Sequence, residues 1–163
     1  MSTTYAILTS IVVCILAAAL ESVCAGKNVK PFFASLKFPR YSAPLWIWSI
    51  IGGIYYVIFG FVLYRLFRIT TDSTIKSAAL ALIVFMMAVN ALSNYLIFRA
   101  RDLRLSFVVG ALFPLMDIAL LLCLLKLDTA ASLALIPYLL YRVYGVWWGY
   151  ALWKLNRSQD SDV

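Results

Sequence analysis

Residues 105–125 read LSFVVGALFPLMDIALLLCLL, an almost wholly apolar run with one charge, Asp117, in its middle. About 20 such residues coiled into a helix rise about 30 Å, which is the thickness of the hydrocarbon core of a bilayer. Working outward from it, runs of the same kind cover about Ile75–Phe98, Pro44–Phe67 and Tyr5–Ala25 upstream and 130–153 downstream. The fold class that follows is an all-α membrane protein, a five-transmembrane-helix bundle. Residues 1–163 form a single domain, with helices at about 5–25, 44–67, 75–98, 105–125 and 130–153.

The composition agrees with this reading. The chain is 163 residues long, 64% hydrophobic and 13% charged, with a mean hydropathy of +0.94, whereas a soluble domain needs about a quarter of its residues charged to cover its surface. The net charge of +7 raises the question of nucleic acid. The Lys and Arg residues sit in short segments between apolar runs and build no basic helix, so no nucleic-acid partner is expected. Cys14, Cys24 and Cys123 lie within or at the ends of apolar runs, without metal-ligand spacing and in a chain that has no His. They are read as small packed residues, and no metal site is expected. The first run lacks a basic stretch before it and is longer than the core of a signal peptide, so it is expected to remain as a helix.

The connections carry further signals. Gly26-Lys27-Asn28 ends the first helix. The segment 26–43 holds Pro31 and Pro39, four basic residues and the aromatics Phe32, Phe33, Phe38 and Tyr41. That is neither a flexible linker nor a plain polar turn, and it is expected to pack on the bundle as a lid. Pro44 opens the second helix, where a missing N–H costs no helical hydrogen bond. Lys27, Lys30, Lys37, Arg40, Arg99, Arg101, Arg104, Lys154 and Arg157 fall on one side of the bundle, and only Arg65, Arg68, Lys76 and Lys126 on the other. Because positive loops stay in the cytoplasm, the N-terminus is expected outside and the C-terminus inside. Tyr5, Trp46, Trp48, Tyr64 and Trp153 near the helix ends suit interfacial belts.

Polar residues inside the apolar runs are the candidates for function, since a charge at the bilayer centre costs roughly 2.5 to 3.5 kcal/mol on insertion scales. Asp117 and Arg142 lie about equally far from the turn near Asp128, so an antiparallel hairpin sets them at one depth as a buried charge pair. They serve either as a structural clamp or as the mark of a cavity for an anionic ligand. Glu21, near the end of the first run, is expected to reach the interface or the basic loop. Asn90, Ser93 and Asn94 cluster at helical spacings of three and four, the pattern of interhelical hydrogen-bonding. Gly52, Gly53 and Gly60 permit close helix approach, and at Gly52 and Gly53 a larger cavity is the alternative.

Two stretches carry a resemblance to a known family. Leu36-Lys37-Phe38-Pro39-Arg40-Tyr41-Ser42-Ala43-Pro44-Leu45-Trp46, followed by Tyr56 and Gly60, resembles the passage into the second helix of the TspO family, also called the translocator protein or peripheral-type benzodiazepine receptor family. Leu135-Ile136-Pro137-Tyr138-Leu139, continuing through Tyr144 to Trp153-Lys154-Leu155-Asn156, is similar to that family's fifth helix. The resemblance implies a bundle with a cavity open toward the first-loop side, binding porphyrins, sterol-like molecules or isoquinoline-type drugs. This chain departs from the family pattern where Gly52-Gly53, Ser93 and Gly149 stand in place of a Trp-Thr pair, a Trp and an Asn, which makes any tryptophan-dependent tetrapyrrole breakdown doubtful here.

The expected function is therefore that of a TspO-like membrane receptor or sensor holding a hydrophobic ligand such as a porphyrin or sterol-like molecule. The alternative is a small transporter or channel for a hydrophobic or anionic substrate. No nucleophile stands beside a recognisable base, so an enzyme is not expected. The ligand site is placed at Trp46, Tyr56, Asn90, Tyr138, Tyr144 and Trp148. No cofactor is required, and a porphyrin is the candidate ligand. The partners expected are membrane lipid and that small molecule, with a homodimer left open. Val146, Tyr150 and Lys154 also fit the loose sterol-contact pattern, which many membrane helices match by chance.

Overall fold

A computed structural model describes residues 2–71 and 73–157. Among the described residues six helices follow one another: α1 (Thr3–Ala25), the short α2 (Val29–Ser35), α3 (Leu45–Arg68), α4 (Thr74–Phe98), α5 (Leu103–Leu127) and α6 (Thr129–Asn156). Five of them, all but α2, are long and apolar enough to cross a membrane. Helices satisfy their own backbone groups, which is the condition for lying in hydrocarbon.

Side-chain caps set the helix starts. Ser73 accepts from the N–H of Lys76, Asp102 from that of Leu105 and Asp128 from that of Ala131, each satisfying a donor that has no partner inside its helix. Pro44 is the residue before α3 rather than its first turn, with an extended ψ of 160°, because the residue ahead of a helix must leave helical geometry to turn the chain in. At the end of α1, Gly26 has φ 75° and a Cβ there would meet Arg99 Nε at 2.9 Å. The positive φ disfavours a side chain at this junction, and one placed there would also have to push the Arg99 side chain aside.

The spanning helices close into a ring in which α1 packs on α3 and α4, α5 on α4 and α6, and α6 back on α3. Its outer surface is aliphatic, with Leu16, Val57, Leu115, Leu122 and Leu140 all exposed. An apolar rim of this extent belongs in lipid. The interior is divided. Toward the end where α3 stops and α4 begins, Phe59, Val62, Leu63, Leu66, Ala79, Ile83, Met86, Leu120, Leu124, Ala131 and Leu135 form a continuous buried core. Arg65 of α3 closes that end with hydrogen bonds from Nε and Nη2 to Asp128 Oδ2 at 2.9 and 2.6 Å. Toward the opposite end the ring is hollow.

The segment 26–44 lies across the hollow end. Expected as a loop, it contains α2, and its three phenylalanines turn inward while Tyr41 stays exposed: Phe32 meets Phe98 edge-on at 6.3 Å, and Leu36, Phe33 and Phe38 pack with Leu103, Trp148 and Leu152. Pro31 stands in the first turn of α2, where a proline is harmless because its missing N–H has no helical partner to lose.

Candidate functional site

The hollow half encloses about 300 Å³, within the range of cavities that hold small organic ligands. Its size follows from residues that lack side chains. Gly52, Gly110, Gly145 and Gly149 all lie on its wall, and at the first three a Cβ would meet nothing within 4 Å. Of the two roles left open for Gly52, it fills that of cavity opener. Gly60 does the other: its Cβ position lies 3.5 Å from Cys14 Sγ, where α1 crosses α3 closely.

Aromatic rings form the walls and the floor. Trp48 contacts Trp148 at 4.4 Å under the lid, and Tyr141 at 6.1 Å below it. Tyr138 and Tyr55 then meet at 5.3 Å and rest on Phe59, the top of the packed core. Pro114 has no N–H, so the carbonyl of Gly110 on the cavity wall loses its usual helical donor.

The polar groups lie on two walls. On one, Asn90 Nδ2 donates to Glu21 Oε1, with Ser93 and Asn94 beside it. Glu21 thus joins the cavity rather than the interface or the basic loop, because α1 packs on α4 and brings a hydrogen-bond donor within reach. On the other, Arg142 Nε stands 3.4 Å from Asp117 Oδ2. The guanidinium carbon lies 3.9 Å from the ring centre of Phe113 and 4.7 Å from that of Tyr138, contacts that suit a cation withdrawn from water. Asp117 is fully buried beneath the wall and does not line it.

A model of the TspO/MBR family matches residues 10–154, most of the chain. The protein belongs to the TspO/MBR family. A search of curated proteins finds no match.

Of the site residues read from sequence, this TspO/MBR protein brings Asn90, Tyr138 and Trp148 to the cavity wall, together with Arg142. Three others lie outside the lining. Trp46 is 63% exposed at the start of α3, about 200° around the helix from Trp48, which takes the inward position. Tyr56 faces α1 and lines a separate lipid-side groove with Ser10, Cys14, Gly60 and Tyr64, while its neighbour Tyr55 faces inward. The inward stripe of α3 is Trp48, Gly52, Tyr55 and Phe59, a helical repeat of four and three that was present in the sequence. Tyr144 works on the lid, donating from its hydroxyl to the carbonyl of Tyr41 at 2.8 Å and stacking on Trp48.

The lid has further fastenings that sequence reading missed. Asn156, 1% exposed, accepts from the N–H of Lys37 and donates to the carbonyl of the same residue, both at 2.9 Å. Trp148 Nε1 donates to Ser42 Oγ at 2.8 Å, and Trp48 Nε1 to the carbonyl of Ala43 at 3.0 Å. These bonds satisfy the backbone of an irregular segment that covers the cavity.

Proposed function

We propose that this TspO/MBR protein is a membrane receptor that holds a flat hydrophobic molecule, of porphyrin or sterol-like type, in the cavity between the lid and the packed core. The observation that carries the proposal is the aromatic-lined space with polar groups on only two walls, since a site of this kind takes up a largely apolar body and orients it through few contacts. Trp48, Tyr55, Phe113, Tyr138, Tyr141 and Trp148 supply the apolar contacts, and Asn90 and Arg142 the orientation. A body as wide as a tetrapyrrole needs the lid displaced, because about 300 Å³ is at the lower end for organic ligands.

The packed core favours this reading over a channel, since buried side chains fill the interior of the ring's other half. We further place the N-terminus outside and the C-terminus in the cytoplasm, from the nine basic residues on the lid side against four on the other. The lid then faces the cytoplasm. A phosphatase fused after residue 157 is expected to be inactive in a bacterial host, and an active fusion would reverse the orientation.

Titration of the purified protein with protoporphyrin tests the receptor reading, because Trp48 and Trp148 at the cavity report an occupant by fluorescence quenching. Saturable quenching at one molecule per chain is the expected result. Movement of porphyrin across liposomes without saturable binding would instead favour a transporter.

A further inference from the structure

The two charged side chains on the cavity lining, Arg142 and Glu21, are compensated unequally. Arg142 has the carboxylate of Asp117 at 3.4 Å, so the charge on its wall is offset. Glu21 has no such partner. Among the described residues it forms no ion pair, although Lys27, Lys30 and Arg99 stand at the same end of the bundle. Asn90 donates one hydrogen bond to its Oε1, which supplies a dipole and no charge. An acidic side chain within a membrane-spanning helix is costly and is ordinarily met by a cation.

The unpaired wall is also accessible. Oε2 of Glu21 and Oδ1 of Asn90 have no donor among the described residues, yet neither atom is buried. The space that both residues line is the cavity. Tyr55 and Tyr138 lie within electrostatic reach of the carboxylate, and Trp48 and Tyr141 continue the aromatic lining. Ring faces of this kind attract cations. A metal ion is a poor match, since it asks for more oxygen ligands than one carboxylate supplies, and no group of three acidic or thiol side chains gathers among the described residues. An organic ammonium matches every part of the site: its N–H groups donate to the carboxylate and the amide oxygen while its carbon body rests on the rings.

We infer that the cavity takes a hydrophobic amine, one or two rings bearing a protonated nitrogen, and that Glu21 receives the ammonium with Asn90 as the second acceptor. The inference rests on the reading of this cavity as a ligand site and adds a chemical class to those named for it. A volume of about 300 Å³ admits a two-ring molecule with the lid in place. Arg142 stands on the other wall, and Asp117 offsets the repulsion it exerts.

The test compares naphthylethylamine, charged at neutral pH like a lysine side chain, with naphthylethanol, which keeps the rings and the chain and has no charge. Binding is measured by calorimetry on the protein in nanodiscs of zwitterionic lipid, with empty nanodiscs subtracted. The amine is expected to bind roughly tenfold more tightly or better, the scale of a charge-assisted hydrogen bond. In Glu21→Gln, which keeps the side-chain length and an acceptor for Asn90, the amine should fall to the affinity of the alcohol while the alcohol and the melting temperature change little. Equal affinities of amine and alcohol for the parent protein, a comparison that needs no variant, would overturn the assignment. So would an amine preference that survives in the folded variant, or absence of saturable binding by both compounds. Protoporphyrin quenching in the same preparation separates the two readings: if it saturates while the amine fails, the receptor reading stands and the amine assignment falls, and if neither binds, both fall.

Discussion

The two halves of this bundle are built from the same five helices and differ in what those helices present inward. Toward Arg65 and Asp128 the inward residues are Leu63, Leu66, Ile83, Leu120 and Leu124, all essentially inaccessible, and they interdigitate into a core. Toward the lid the inward positions alternate aromatic rings with Gly52, Gly110 and Gly145, and the space those glycines leave is not refilled. A protein interior ordinarily closes such gaps, since unfilled volume forfeits dispersion contacts. The difference shows that helix association is secured in one half, leaving the other free to hold a cavity that would destabilise a bundle packed only there.

The charge pair marks the boundary between the halves, and breaking it has the largest expected effect. Arg142→Gln alone leaves Asp117 buried without its counter-ion and should cost roughly 3 to 5 kcal/mol. Adding Asp117→Asn should recover most of that loss in thermal melts. Additive losses would mean that the two side chains do not act as a pair.

A matched pair of truncations measures the halves against each other. Ile83→Ala, at a site with 0% exposure in the core, should cost about 2 to 5 kcal/mol. Ile97→Ala, on the half-buried cavity wall, should cost roughly 1 kcal/mol, because less apolar area is lost and the space already exists. Equal costs would remove the distinction drawn between a solid and a hollow half.

The smallest effect belongs to the polar clamp of the solid half. Burial pushes the Asp128 carboxyl up, but the hydrogen bond from Arg65 and the N–H of Ala131 outweigh it and hold the group below the usual carboxylate range. Its folded pKa is therefore depressed, so its contribution is complete above the unfolded value and is lost as pH falls through the folded one. The melting temperature should fall slightly between about pH 5 and about pH 3, and Asp128→Asn should flatten that slope. The Arg65 side chain is 40% exposed, which keeps the effect below about 1 kcal/mol.

Much of the division between the halves was legible in the sequence, and its limits are instructive. Apolar run length is a property of the chain alone, so five spans could be placed within three residues, the largest difference being the end of α6 at Asn156. Equal distance from a turn set Asp117 opposite Arg142, and the two side chains meet. The inward face of α3 was harder to find, because in a bilayer the outward face is apolar too. Trp46 and Trp48 then look alike until a partner helix distinguishes them. The stripe of Trp48, Gly52 and Tyr55 was visible in principle, but its glycines read equally well as close-packing positions. The Asn156 bonds to Lys37 were invisible, since they join positions far apart in the chain through a backbone that no composition reveals.

The central claim is that the glycine-made space is the ligand site. Gly145→Leu places a side chain where a Cβ has open space around it and improves helix propensity by about 1 kcal/mol, so the variant should melt at or above the temperature of the parent. Its protoporphyrin affinity, measured by tryptophan quenching in parallel with the parent protein, should fall by at least roughly tenfold, the equivalent of about 1.4 kcal/mol. Unchanged affinity in a folded Gly145→Leu protein would contradict the account and place the ligand outside this cavity.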